Sequence, residues 1–377
     1  MRSVDRASLA NRCPSRSRVP TTSPKCSSAC VSCRRVVERM RVLTRNDLEQ
    51  VLGFEACIAE MRRAMIATSE RRCSLPLRQF MPVPGRAGKL GLMPGYIGAA
   101  DSGEGECFGV KIVSKFERPA GDAHGSHVGA VMLFDADTGL PLALLEGGTL
   151  TAIRTASMTA LATDALARAD AKRLLIVGTG EEAWYHARAL LHVRPFEELV
   201  VWGRTASRAE QLIERLAAQL PRERSGAVPR LNVAAELPAA LARADVACTV
   251  TSAKEPFIRG EWLPAGLHLN LVGSAIASTA EVDDETVRRA RFFVDYRDAA
   301  LAAAGELLGA MQRGVVDATH IRGEIGEVLA GTVTGRQAVD ELTIYKSLGV
   351  TTQDLAAGWR ALKEAELRGI GGSIQLS

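Results

Sequence analysis

At 377 residues the chain is long enough for two domains, and a net charge of +4 from 47 basic and 43 acidic residues argues against a nucleic-acid-binding protein. No apolar run approaches membrane-spanning length, and no secretory hydrophobic core followed by a cleavage site opens the sequence. The basic excess is local: residues 1–39 hold eight arginines and one lysine against Asp5 and Glu38. With many Ser, Pro and Thr and no apolar periodicity, they read as a disordered tail. Such a composition fits an organellar transit peptide or sequence translated upstream of the true start. The second is preferred, because Met40 opens a foldable pattern. Cys26, Cys30 and Cys33 have the C-x3-C-x2-C spacing of a radical-type iron–sulfur motif, but no apolar strand precedes them and nothing there would keep a cluster dry. Cys13, Cys57, Cys73, Cys107 and Cys248 form no metal pattern and are expected to be reduced thiols of a cytoplasmic protein.

From Met40 onward, Thr44 or Asn46 caps a helix that turns Leu48, Val51 and Leu52 inward, and helical pattern runs to about residue 70. Short strands follow at Arg78–Met81, Lys89–Pro94, Gly109–Val113, Val128–Phe134 and Leu142–Leu145, with a turn at Asp137-Thr-Gly and Pro141 before the last. They predict a meandering mixed or antiparallel sheet. Thr149 or Thr151 then caps a long helix rich in alanine and leucine, with Arg154 in its first turn. A cation there opposes the helix dipole unless it points at an anion. Arg78, Lys111 and Arg154 are cations in apolar surroundings, and together they suggest a pocket for a carboxylate. Arginine's planar fork suits bidentate binding, while lysine offers a movable proton donor.

The chain is organised around Ala171 to Leu191, which reads as strand, tight turn and helix in immediate succession. Leu174–Val177 is a short apolar run of the kind buried on both faces of a parallel sheet. Gly178, Thr179, Gly180, Glu181, Glu182 and Ala183 then follow the G-x-G-x-x-A pattern. The first glycine permits a sharp turn, the second lets backbone approach a pyrophosphate, and Ala183 packs helix against strand. Unpaired N–H groups and the dipole of that helix would face the phosphates. A second apolar strand, Glu198–Trp202, arrives about twenty residues on, as the fingerprint requires. Where an acid would hold the ribose hydroxyls of NADH, this chain has Gly203, Arg204, Thr205, Ser207 and Arg208. Arginines beside hydroxyl donors suit a 2′-phosphate, so NADPH is favoured over NADH.

Ala206–Leu220 reads as a helix, and Leu231–Ala234, Asp245–Thr251, His268–Val272 and Arg291–Asp295 as successive buried strands of a doubly wound sheet. Thr251 and Ser252 end one strand, and Gly273 and Ser274 follow another, so all four lie on the carboxyl edge where cofactors bind. Val282–Ala290 looks helical, with Asp283 and Asp284 in its opening turn. Glu324 and Glu327 mark a helix start in preference to a catalytic pair of acids. Gln353–Leu367 is an amphipathic helix expected to pack back on the first domain, with the last ten residues loose.

As a whole the pattern resembles the ornithine cyclodeaminase and mu-crystallin family. The matching pieces, in order, are L-P-L-R, L-M-P-G-Y-I-G, G-V-K-I-V-S, S-H-V-G-A-V-M-L-F-D, L-T-A-I-R-T-A, G-T-G-E-E-A, E-V-D-D-E-T-V, G-E-I-G-E-V-L-A-G and S-L-G-V-T-T-Q-D-L-A-A. The resemblance implies an α/β fold. A Rossmann dinucleotide-binding domain over 156–324 would accompany an α+β substrate and dimerisation domain built from 40–155 and the returning segment 325–377. It also implies a homodimer acting on a small imino or amino acid with a carboxylate. Arg78 and Arg154 would hold that carboxylate, and Lys111 would polarise or protonate the imine. His127 falls at a recurring family position but, entering a strand, is left a structural role. The sequence departs from the cyclodeaminases at two places. Ala275 stands where they carry an aspartate after the fifth Rossmann strand, and Gly91 where an acid receives the side-chain amine. Losing one general base commonly costs about 10²- to 10⁴-fold. The expected activity is therefore NAD(P)H-dependent reduction of a cyclic imine or imino acid to an amino acid. Ornithine cyclodeamination to proline and ammonia, an alanine-dehydrogenase-like activity and a mu-crystallin-like binding role are the alternatives.

Overall fold

The computed structural model describes residues 39–99, 105–116, 128–223 and 226–375. Cys13, Cys26, Cys30, Cys33 and His127 lie outside them. The chain opens with strand β1 (Met40–Leu43) and helices α1 (Arg45–Val51) and α2 (Phe54–Ser69). Of the two candidate caps, Thr44 is the one used. Its hydroxyl accepts from Asp47 N while the Asp47 carboxylate accepts from Thr44 N at 2.9 Å, a reciprocal box that satisfies two orphan donors.

Strands β2 (Cys73–Ser74), β3 (Gln79–Pro82), β4 (Gly88–Ile97), β5 (Cys107–Phe116), β6 (Val128–Phe134) and β7 (Pro141–Glu146) come next. They form an antiparallel meander, and β1 joins β7 in parallel, so the sheet is mixed as expected. The period-2 alternation sends Lys111 and Val113 to a buried face, while Val110 and Ile112 face outward.

Helix α3 (Gly147–Leu166) begins before either predicted cap. The Glu146 carboxylate accepts from Gly148 N and Thr149 N, so Thr149 and Thr151 lie inside the helix and Arg154 stands in its second turn. The expected start failed because a glutamate reached the orphan N–H groups first. Nearly every α3 residue is buried, which is why its sequence shows no polar face.

The second sheet is parallel throughout. Its elements in chain order are β8 (Arg173–Val177), α4 (Glu181–Leu190), β9 (Glu198–Trp202), α5 (Ala206–Glu223), β10 (Arg230–Val233), α6 (Leu237–Leu241), β11 (Val246–Thr249) and β12 (His268–Leu271). They continue with α7 (Asp284–Arg289), β13 (Arg291–Val294), α8 (Arg297–Ala303), α9 (Gly305–Gln312), β14 (Ile321–Glu324), α10 (Ile325–Leu329) and β15 (Thr343–Lys346). The strand order β10-β9-β8-β11-β12-β15-β13-β14 contains the 3-2-1-4-5 order of a Rossmann sheet, with its switch point between β8 and β11. Asp283 caps α7, and Glu324 with Glu327 forms a capping box at α10, so these acids are helix starts.

The segment after 325 does not return at once to the first sheet. Strand β15 inserts between β12 and β13 of the parallel sheet, and only then does α11 (Thr351–Arg368) cross to pack on β4, β5 and β6. Nor are the last residues all loose, since β16 (Gly372–Ile374) pairs antiparallel with β1. The first turn of α11 therefore stands where the two sheets meet.

Candidate active site

Burial brings two of the three predicted cations onto one carboxylate. Lys111, 2 % exposed on β5, donates from Nζ to Asp354 Oδ1 at 3.1 Å. Arg154 of α3 donates from Nε to the same oxygen at 2.8 Å and from Nη1 to Gln353 Oε1 at 3.0 Å. Asp354 lies in the first turn of α11 and is fully buried, and its Oδ2 has no hydrogen-bond partner among the described residues. Burial lowers the Lys111 ammonium to about 8, against the opposing pull of Asp354, and Arg154 adds to the lowering. For Asp354 burial acts upward, but Arg154 and Lys111 outweigh it and hold the carboxyl below its ordinary value.

Arg78 reaches the same crevice from another side. It donates to the carbonyls of Leu348 at 3.2 Å and Ala275 at 3.4 Å, and burial lowers its pKa with Asp295 opposing. Asp295 accepts from the N–H groups of Leu348, Gly349 and Tyr296 at 2.8, 2.7 and 3.0 Å, which fixes the chain on which Arg78 rests. Gly349 has φ +74°, and a Cβ there would come within 2.9 Å of the Arg154 guanidinium, so only glycine serves. A cavity of about 450 Å³ opens here, lined by Arg78, Phe80, Met93, Ala275 and Ile276. Lys111 and Arg154 stand behind it and not in its wall.

The turn after β8 fits a dinucleotide. Gly178 has φ +134°, and a Cβ on it would meet the Val250 carbonyl at 2.9 Å. Nothing lies within 4 Å of where a Gly180 side chain would be, and Gly180 caps α4 without any side-chain hydrogen bond. The first N–H groups of α4, those of Glu181 and Glu182, are thus left for an anion. Glu181 pairs with Arg45 at 3.1 Å. Glu182 keeps 24 % of its side-chain surface, but its Oε2 is buried 3.4 Å from His186 Nδ1, and burial pushes its carboxyl up to about 8 against the effect of Arg154. A carboxyl raised in this way repels a phosphate less than an ordinary glutamate would. Ala183 is buried against the sheet, and Gly203 makes room for Thr179, whose methyl would be 2.5 Å from a Cβ there.

Past β9, Arg204, Thr205 and Arg208 are exposed, and neither arginine has an ion-pair partner among the described residues. Thr251 donates from N and Oγ1 to Glu281 Oε1 at 3.0 and 2.7 Å, while Thr249 Oγ1 and Gly273 N donate to Oε2 at 2.7 and 2.9 Å. Glu281 therefore ties together the two edge turns. Ser252 is exposed. Ser274 is 1 % exposed, with its hydroxyl committed to Glu306 and to Lys346 Nζ and its carbonyl also accepting from Lys346 Nζ, so its side chain is not free to face a ligand.

Asp354, Gln353, Asp295, Glu281 and the Lys346–Glu306 pair were not singled out from sequence. For Asp354 a signal existed: it is the sole charge in S-L-G-V-T-T-Q-D-L-A-A, a stretch without a polar stripe.

Fold and site together define a dinucleotide-dependent enzyme whose crevice, lined by Arg78 and Lys89, opens at the carboxyl edge of the parallel sheet. The chain belongs to the ornithine cyclodeaminase/mu-crystallin family, whose profile matches residues 37–366. It is 34 % identical to the ketimine reductase mu-crystallin of Mus musculus, over 75 % of this chain and 82 % of that protein. With the Delta(1)-pyrroline-2-carboxylate reductase of Bacillus cereus it shares 32 % identity, over 89 % of this chain and all of that protein. The solved Delta(1)-pyrroline-2-carboxylate reductase of Thermococcus litoralis, in complex with NADH and L-proline, superposes with a TM-score of 0.82. That comparison has 30 % identity over 89 % of this chain and 100 % of that one.

Proposed function

We propose that the protein is an NAD(P)H-dependent reductase that converts a cyclic imino acid of the pyrroline-2-carboxylate type to the corresponding amino acid. The observation that carries this is the buried Lys111–Asp354–Arg154 cluster beside the nucleotide turn. Named relatives with the same reaction, and a neighbour bound to NADH and L-proline, support it.

When bound, the nicotinamide supplies the hydride for the imine carbon. Arg78, in the cavity wall, holds the substrate carboxylate through its guanidinium fork, and Arg154, whose Nε and Nη1 are engaged by Asp354 and Gln353, adds its charge from behind. Asp354 aims the Lys111 ammonium, and with its pKa lowered to about 8 Lys111 can give a proton to the imine nitrogen near neutral pH. The apolar walls of Phe80, Met93 and Ile276 keep water from the reacting carbon. NADPH is the preferred coenzyme in this reading, because Arg204 and Arg208 are exposed, and without an ion-pair partner among the described residues, where a 2′-phosphate would lie. A homodimer is part of it, supported by the outward face of the first sheet: Leu92, Val110, Met132 and Leu144 remain part-exposed there, and Ile112 is 39 % exposed. No described helix is long and apolar enough to cross a membrane.

Ornithine cyclodeamination is disfavoured on two positions. Ala275 offers a methyl group and a carbonyl taken by Arg78, and a side chain at Gly91 would meet the Phe80 ring at 2.9 Å. The test pairs two assays. Pyrroline-2-carboxylate with NADPH or NADH is expected to consume coenzyme, faster with NADPH, and ornithine with NAD is expected to release no ammonia. Ammonia and proline from ornithine with no net coenzyme change would overturn the reading.

A further inference from the structure

Lys115 stands four residues beyond Lys111 on the same face of β5, and the strand register sets Lys89 of β4 directly across from it. Like charges in such a pair repel. No acidic side chain relieves them among the described residues. The Lys89 ammonium sits 4.4 Å from the centre of the Phe80 ring, and the charged groups acting on Lys115 are Arg78, Lys89 and Arg154. Burial, and then those three cations, lower Lys115 to about 8.

The same crevice already holds Lys111 and Arg154 on the single carboxylate of Asp354, and Arg78 on two carbonyls. The other nearby acid, Asp295, is occupied by three backbone N–H groups. Five cations thus gather where two buried carboxylates, Asp354 and Asp295, are both engaged, and Glu182, the other acid that feels Arg154 and Lys111, is pushed toward its neutral form by burial. One substrate carboxylate accounts for Arg78 and Arg154, but not for Lys89 and Lys115, which lie two register rows further along the strands. Between the rows, Phe80 covers Gly91, so the path from one to the other is apolar. Lys89 and Arg78 both line the 450 Å³ cavity, and Arg78 is the first of the cations that act on Lys115. Half-buried cations with no acidic partner among the described residues are favoured only if an anion enters with the ligand.

We propose that Lys89 and Lys115 form a second anion subsite, and that the substrate is an imino acid carrying a further acidic group, most simply a second carboxylate, at the end remote from the imine. This rests on the imine-reductase reading for the reaction, but the subsite itself is a matter of binding. It also explains why Phe80 lies between the rows: it packs against the methylene chain that separates the two acidic groups.

2-Oxoglutarate and 2-oxovalerate test it, because they share a five-carbon 2-oxo acid and differ in having a carboxylate or a methyl group at the far end. Their affinities are measured by calorimetry on the full chain with NADPH bound, and the ratio of the two is the readout. The ratio is expected to favour 2-oxoglutarate by about 10- to 100-fold. Lys115→Met and Lys89→Met should each bring it close to one, and Lys89→Arg, which keeps the charge, should preserve it. A ratio near one in the unaltered protein, or a ratio that neither methionine variant changes, would overturn the subsite. Reduction of pyrroline-2-carboxylate is followed alongside. Imine reduction without a charge preference rejects the subsite alone, whereas a charge preference without reduction of any imine keeps the subsite and rejects the reductase.

Discussion

Lys111 is held at a cost to the fold. Its folded pKa of about 8 lies below the unfolded value, so the native state disfavours the ammonium form. The penalty is present in full below about pH 8 and is lifted as pH rises from there through the unfolded pKa of about 10.4. Lys111→Met should therefore lose about 10²- to 10⁴-fold in imine reduction and yet be more stable at pH 7, by about 1–3 kcal/mol in denaturant titration. A variant both inactive and less stable would contradict this. Asp354 works in the opposite sense, since its charge raises the Lys111 pKa. Asp354→Asn should move the alkaline limb of the rate profile, at about pH 8 in the unaltered enzyme, to lower pH, which a pH series of kcat/KM will show. An unmoved limb would mean that Lys111 is not the titrating acid. The three cations were legible because each stands alone among apolar residues. Asp354 was not, because an acid in the first turn of a helix is also what the dipole favours.

Glu281 gives the elements around the cofactor edge their register. Its carboxylate accepts from Thr249, Thr251 and Gly273 and so joins the ends of β11 and β12. An amide cannot accept all of these bonds. Glu281→Gln should cost about 1–3 kcal/mol in unfolding free energy and weaken coenzyme binding, both seen by denaturation with and without NADPH. Unchanged values would remove the clamp from the account. Most elements could be predicted from the sequence. The strands of the first sheet announced themselves by alternation, and the parallel strands by apolar runs before glycine. The start of α3 was misplaced because Glu146 caps it from outside the alanine-rich stretch. Strand β15 was missed as a member of the parallel sheet, because four residues, T-I-Y-K, carry no local sign of which sheet they will join.

At the scale of the molecule, the Lys111–Asp354–Arg154 cluster depends on chain that crosses between sheets. Lys111 comes from the first sheet, and Arg154 from the helix that leads out of it. Asp354 arrives only after β15 has passed through the second sheet. Spacing in the sequence cannot show such a meeting, since Lys111 and Asp354 are 243 residues apart. The apolar outer face of the first sheet bears on assembly. Ile112→Asp should convert a dimer to monomer in sedimentation velocity, and a protein that is monomeric before the change would contradict the dimer.

The account's central claim is hydride delivery to an imine carbon in this pocket. It is tested most directly by incubating pyrroline-2-carboxylate with NADPH deuterated at the nicotinamide C4 and analysing the product by mass spectrometry. Proline carrying a single deuterium at its α-carbon, formed by the unaltered protein and not by Lys111→Ala, is the predicted result. Proline without deuterium, or deuterium transfer that survives the loss of Lys111 undiminished, would contradict the mechanism.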